Sequence, residues 1–185
     1  ALLALLIGAD LEPRELLLVG FAASFAAKLA DTFGSEIGKR FGRTTVLITS
    51  LRVVPPGTEG AISLEGILAS AAGSIAMTLV MLALQLVPSW PVAVLVMLVG
   101  LVATLGESLL GALVQDRLAW LSNELVNALQ TLLAAVLAML LMVALISWFG
   151  WASVHRAWPI AAAVERPLGD EGAGMNGCNS WPEPD

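Results

Sequence analysis

Two groups of oxygen- and nitrogen-bearing side chains interrupt a chain that is otherwise mostly hydrocarbon. The first lies in Lys28–Gly66, KLADTFGSEIGKRFGRTTVLITSLRVVPPGTEGAISLEG. Asp31 and Ser35 are four residues apart, as are Thr32 and Glu36, so on a continuous helix each pair shares a face. Asp31 and Glu36 converge only if Gly34 or Gly38 bends the chain. Oxygen donors of this kind suit magnesium, which takes one or two protein carboxylates and leaves its other positions to water and substrate phosphates. The same residues also fit an interfacial salt-bridge set with Lys28, Lys39 and Arg40, because charge near a membrane usually has a partner. Further along, Pro55–Ser63 (PPGTEGAIS) sets Gly57, Thr58 and Gly60 just before a helix that Ser63 can cap. Glycines let the backbone approach an anion, and a helix N-terminus offers free N–H groups. The Walker spacing and its lysine are missing, so on spacing alone a glycine-rich turn joining two membrane segments fits better than phosphate binding.

The second group lies within apolar segments. Glu107 is the most demanding residue, since an acid inside a membrane helix costs about 2.5–3.5 kcal/mol on insertion scales. It forms an i, i+4, i+8 stripe with Gly111 and Gln115, beside small Gly106, Ser108 and Ala112. Asn123, Asn127, Gln130 and Thr131 make another polar stripe, with Glu124 next to it. Hydrogen bonding between helices is the ordinary explanation for the asparagine stripe and an alternative for Glu107. Facing stripes with an acid in each also describe a site for a metal and a phosphorylated head group.

The elements that must position these residues are membrane spans. Hydrophobic residues make up 58% of the 185 and charged residues only 13%, and the mean hydropathy is +0.86, which excludes an ordinary soluble domain. At about 20 apolar residues per span, the length holds four or five of them. The expected architecture is all-α: a polytopic transmembrane bundle of four spans plus a partial N-terminal one. Its spans are Leu16–Ala30, Ile67–Val87, Pro91–Val114 and Leu118–Gly150, the second and third forming an antiparallel hairpin. Gly34, Gly38 and Gly42 are expected to break regular structure, and the β-branched run Thr44–Leu51 to be extended or re-entrant. Residues 1–152 form the membrane domain and 153–185 a disordered polar tail. The chain opens on Ala1 and ALLALLIG reads as the end of a hydrophobic segment, so an upstream part is expected. Cys178 is the sole cysteine and His155 the sole histidine, leaving no thiolate metal cage.

If the helices alternate, Lys28, Lys39, Arg40, Arg43, Arg52 and Arg117 share one side and Arg14, Arg156 and Arg166 the other. The basic excess puts the polar loops in the cytoplasm or its equivalent. The net charge of -6 hides this local pattern, and no nucleic-acid partner is expected.

Lys28–Gly66, TLGESLLGALVQDR (Thr104–Arg117) and WLSNELVN (Trp120–Asn127) resemble the motifs of the integral membrane family DUF92, which includes the human transmembrane protein 19. Within that family they are most similar to the plant and cyanobacterial phytyl-phosphate kinase branch of tocopherol biosynthesis. Pro56 stands where that branch commonly has arginine, and Glu124 where it has aspartate. The resemblance implies a multi-pass protein of a plasma or thylakoid membrane and the C-terminal part of a larger family domain. It also implies a kinase that converts phytyl phosphate to phytyl diphosphate with Mg²⁺ and a nucleoside triphosphate, CTP or another. On that basis Asp31, Glu36, Glu107, Asn123, Glu124 and Asn127 are candidate catalytic residues, and Asp31, Glu36, Glu107 and Glu124 candidate Mg²⁺ ligands. Lys39, Arg40, Arg52, Gly57, Thr58, Gly60 and Ser63 are candidate phosphate holders, and the bilayer supplies the isoprenoid substrate. A transporter or channel with intramembrane acids, or a non-catalytic membrane subunit, is the alternative from another class.

Overall fold

The computed structural model describes residues 14–114 and 123–149. In a bilayer no water satisfies exposed peptide groups, so each long apolar segment pairs its own N–H and C=O groups as a helix. Helix α1 spans Arg14–Phe41, α2 Leu64–Ala83, α3 Trp90–Val114 and α4 Asn123–Phe149, and all four are long and apolar enough to cross a membrane. Strands β1 (Thr45–Leu47) and β2 (Ala61–Ser63) lie between α1 and α2. The expected polytopic helical bundle therefore forms, with a small sheet added at one end. The partial N-terminal segment, the polar connection around Gln115–Arg117 and the tail from residue 153 lie outside the described residues.

Helix α1 packs against each of the other three. Its seam is Val19, Ala22, Ala23, Ala26, Ala27 and Ala30, all fully buried. Spacings of three and four place these residues on one side, and their small size lets the neighbouring backbones close in. Large aliphatic side chains such as Leu98, Val102, Leu132 and Leu140 stay exposed on the outside of the bundle, as contact with lipid tails requires.

The break expected at Gly34 and Gly38 does not occur, and α1 runs on to Phe41. These glycines serve close packing instead. A Cβ added at Gly34 would collide with Ser70 Oγ, and one at Gly38 would come within 3.3 Å of Gly66 Cα and of Ser63 Oγ. The small residues of α1 thus face small residues at the start of α2, as in membrane helices that associate through repeated glycines.

Between these helices the chain makes a compact excursion. The strands β1 and β2 pair antiparallel, Thr45 with Ser63, Val46 with Ile62 and Leu47 with Ala61. The intervening segment folds back on β1: Leu47 N–H donates to Arg52 O at 2.9 Å and Val54 N–H to Thr45 O at 3.0 Å. Thr44–Leu51 is thus extended at its start, and Leu51 sits at a left-handed φ of 56°. Ser63 then caps α2 as its sequence position suggests: it is extended (φ -133°, ψ 159°), and its hydroxyl accepts from Gly66 N–H at 3.1 Å. Pro88 and Ser89 end the short turn into α3, whose first turn holds Pro91 and where Ala93 N–H donates to Ser89 O at 2.9 Å.

Candidate functional site

Periodicity along α1 sorts its polar residues. Asp31, Ser35 and Lys39 recur at four-residue intervals and all line one cleft, together with Gly34 and Gly38. Thr32, Glu36 and Arg40 fall outside that lining and are exposed. Because the helix does not bend at Gly34, Glu36 stays about 140° around the axis from Asp31 at 100° per residue, and the two carboxylates do not converge.

The opposite wall of the cleft is the sheet and its loop. Pro56, Gly57, Thr58, Glu59 and Gly60 line it, followed by Ile62 and Ser63 of β2 and by Gly66 and Ser70 of α2. The loop is held by its own hydrogen bonds: Thr58 Oγ1 donates to Pro55 O at 2.8 Å, and Ala61 N–H donates to Thr58 O at 3.0 Å. Gly57 has φ 89° and Gly60 φ 71°, conformations that carry no steric penalty only without a Cβ. At Gly60 a side chain would also collide with Ala112, so this glycine seats the loop directly on α3.

Helix α3 closes the third side with Thr104, Glu107, Ser108 and Gly111, and α4 contributes Asn127. The cleft holds about 340 Å³, the size of a small-ligand site. Glu107 is half-buried and faces Asp31 across the cleft, with Lys28 and Glu59 the other charges within reach. Lys28 Nζ donates to Asp31 Oδ2 at 2.9 Å and to Asn127 Oδ1 at 2.6 Å, tying α1 to α4 at the rim. The side chain of Asp31 is only 14% exposed. Two carboxylates placed together repel, and Lys28 at the rim with Lys39 on the wall leaves the three acids Asp31, Glu59 and Glu107 in excess. A cation held between them would offset that repulsion.

Beneath the acids the bundle is sealed. Gln130, 2% exposed, donates through Nε2 to Thr104 Oγ1 at 3.1 Å and to Ala27 O at 3.3 Å. The Thr104 hydroxyl lies 3.1 Å from the same Ala27 carbonyl and 3.0 Å from that of Gly100. This knot joins α1, α3 and α4. Below it the core is apolar: Val19, Ala22, Val96, Val99, Ala134, Ala138 and Met142.

Of the residues expected from sequence, Asp31, Lys39, Gly57, Thr58, Gly60, Ser63, Glu107 and Asn127 meet at the cleft. Arg40 instead lies with its guanidinium carbon 5.7 Å from the centroid of the Phe41 ring. Arg52 is exposed on the excursion between the strands, and Glu124 is exposed in the first turn of α4. A carboxylate in that first turn complements the positive end of the helix dipole. Asn123 begins α4, its side chain lying outside the described part, as does Gln115. The described residues bring no three acids, histidines or cysteines together as a metal cage. What is present is a pair of carboxylates in a cleft that Ser35 also lines, its hydroxyl donating to Thr32 O at 3.2 Å, an oxygen-only set that fits magnesium better than a softer metal.

Thr45 and Ser70 line the cleft without having been legible as site residues. Thr45 is 8% exposed, and its Oγ1 finds no hydrogen-bond partner among the described residues. A buried hydroxyl left unpaired costs about 1–3 kcal/mol, and in the cleft wall this one is available to a polar ligand atom. The signal that could have found them is pairing: β-branched Thr45 opposite the cap residue Ser63, and Ser70 opposite Gly34.

The model of the family described as integral membrane protein DUF92 matches residues 1–135, and the chain belongs to that family. An uncharacterized membrane protein of Synechocystis sp. is 44% identical over 139 residues, 75% of this chain and 54% of the relative. Protein VTE6, chloroplastic, of Arabidopsis thaliana is 43% identical over 130 residues, 69% of this chain and 38% of the relative. An uncharacterized membrane protein of Methanocaldococcus jannaschii is 34% identical over 124 residues, 67% of this chain and 51% of the relative. The chain thus spans about half, or less, of the length of these curated relatives. No solved structure matches it.

Proposed function

We propose that this member of the DUF92 integral membrane family acts as a membrane-embedded kinase that transfers a phosphoryl group to an isoprenoid monophosphate such as phytyl phosphate. The observation that carries the reading is the pairing of Asp31 and Glu107 across a cleft whose opposite wall is the Gly57–Gly60 loop and the capped start of α2. Phosphoryl transfer asks chiefly for positioning and charge neutralisation. Asp31 and Glu107, with Ser35, would hold Mg²⁺, which when bound neutralises charge on the phosphates. Lys39, the Thr45 hydroxyl and the backbone N–H groups of the Gly57–Gly60 loop other than that of Thr58, which donates to Pro55 O at 3.2 Å, bind and orient phosphate oxygens.

In the step itself an oxygen of the acceptor monoester attacks the γ-phosphorus of the nucleoside triphosphate. The bond from that phosphorus to the β–γ bridging oxygen breaks, nucleoside diphosphate leaves, and a new P–O–P linkage forms. A phosphate monoester with a second pKa of about 6 is largely dianionic at neutral pH, so no strong general base is needed. The similarity to the kinase branch noted from sequence motifs supports this assignment.

A transporter is the second reading, because intramembrane acids couple transport elsewhere. The Gln130–Thr104–Ala27 knot and the apolar core below it favour a one-sided site over a through-pathway.

The test is direct. Full-length protein in detergent is given phytyl phosphate, Mg²⁺ and each nucleoside triphosphate in turn, and the lipid products are separated. Phytyl diphosphate with at least one donor is expected; folded protein that forms none with any donor overturns the proposal.

A further inference from the structure

A second cavity opens beside the polar cleft, and its character is the reverse. It is a groove of about 360 Å³ between α3 and α4, walled by Gly106, Leu110, Val126, Leu129, Leu133 and Val136. Leu129, Leu133 and Val136 are exposed, so the groove faces the lipid side of the bundle, while Val126 at its floor is fully buried. Val126 to Val136 covers about 15 Å of helix at 1.5 Å per residue, roughly half of a hydrocarbon core about 30 Å thick. The groove therefore runs from the polar end of the bundle to about the depth of one leaflet.

Glu107 lines both this groove and the polar cleft. Its neighbour Gly106 lies in the groove wall, and a Cβ added there would meet nothing within 4 Å. The glycines Gly34, Gly60, Gly73 and Gly100 each have another element pressed against them, which accounts for the missing side chain. At Gly106 no packing partner does so; the missing side chain leaves groove volume.

We propose that this groove binds the isoprenoid tail of the phosphate substrate, with Gly106 keeping its upper end open and Val136 bounding the tail at depth. The inference rests on the isoprenoid-phosphate reading of the cleft. Because Glu107 borders both spaces, one molecule with a phosphate head and a single flexible hydrocarbon chain can occupy both, its head at the Gly57–Gly60 and Lys39 side of the cleft and its tail along α4. A bulk phospholipid, with two chains, fits one narrow groove less well. The tail is then read by shape, and Gly106 and Val136 set which chain lengths are accepted.

Two measurements test this on full-length protein in lipid nanodiscs. The first compares C20 and C5 isoprenoid monophosphates as substrates for wild type, Gly106→Leu, Val136→Trp and the lipid-facing control Val102→Leu. Blocking an apolar subsite costs about 10–200-fold in discrimination, so the C20-to-C5 ratio of kcat/KM should fall by at least about tenfold in Gly106→Leu. Val136→Trp should lower it too, and Val102→Leu should leave it unchanged. An unaltered ratio in both groove variants overturns the proposal, and Val136→Trp decides alone if Gly106→Leu does not fold.

The second measurement uses a C20 phosphate carrying a photoreactive diazirine on its tail, with the labelled peptides identified by mass spectrometry. Labelling of residues 106–136 that C20 monophosphate competes away, and that Gly106→Leu reduces, supports the groove even if wild type turns over no phosphate. In that case the kinase reading fails and the tail site stands. Labelling elsewhere, or labelling that bulk phosphatidylcholine displaces equally well, identifies ordinary boundary lipid and overturns the tail site.

Discussion

The two ends of α1 use the same device for different purposes. In its first half, the alanines from Ala22 to Ala30 are fully buried and let the other helices close in, with the Ala27 carbonyl meeting Thr104 and Gln130. In its second half, Gly34 and Gly38 bring α2 equally near, yet the space beside them is kept as a cleft lined by Asp31, Ser35 and Lys39. Small residues in a membrane helix therefore do not announce whether a surface is core or site. The deciding feature is what the following residues do. Beyond Phe41 the chain leaves the helix, builds a sheet and props a glycine loop against α3, so the helices cannot close over the acids. The apolar end is optimised for packing, and the polar end bears cost in order to stay open.

That contrast predicts opposite responses to substitution. Glu107→Gln should give the largest effect, abolishing diphosphate formation to below about one hundredth of wild type, as expected when charge-handling groups are removed from a phosphoryl-transfer site. Thermal stability measured in the same detergent should be unchanged or raised, since an intramembrane acid costs about 2.5–3.5 kcal/mol on insertion scales. A matching loss of stability would show that Glu107 instead serves packing, and the two ends would then differ less than proposed.

Gly60→Val should come next. Both its φ of 71° and the approach of Ala112 oppose a side chain, so about 1–3 kcal/mol of stability should be lost, read as a lower melting temperature. Gly57→Ala shares only the conformational part, since nothing lies within 4 Å of its added Cβ, and should cost about 1–2 kcal/mol, less than Gly60→Val. Equal losses at the two positions would mean that contact with α3 does not seat the loop. Smaller still is Arg43→Ala. Its Nε lies 4.0 Å from Glu65 Oε1 with 92% of the side chain exposed, so the change should stay below about 1 kcal/mol and shrink further with added salt.

Much of this was readable from the residues, and what was not has physical causes. The four spans follow from unbroken apolar runs, and the Ser63 cap from a hydroxyl placed just before one of them. The fate of Gly34 and Gly38 was not readable, because glycine signals both a break and a close approach; only the small residues opposite, Ser63, Gly66 and Ser70, select the second. The β1–β2 register was equally hidden, since a long excursion separates the strands and their pairing depends on contacts distant in sequence. At the site, Asp31, Glu107 and the Gly57–Gly60 loop stood out as candidate chemistry, although a salt bridge, an interhelical hydrogen bond and a linking turn explained the same residues until the structure brought them to one cleft. Thr45 did not, because a threonine in a β-branched run looks like any strand residue until its hydroxyl is found buried without a partner. Glu36 looked equivalent to Asp31 only while the course of the helix between them was open.

The comparison of those two acids is the sharpest test of the central claim that the inward face of α1 carries the chemistry and its outward face does not. Diphosphate formation should be measured for wild type, Asp31→Asn and Glu36→Gln under one set of conditions, at equal amounts of folded protein. The expected result is loss of product in Asp31→Asn, with Glu36→Gln within about twofold of wild type, the range of an ordinary surface substitution of ±0.5 kcal/mol. Equal loss in both variants, or full activity in Asp31→Asn, would contradict the account.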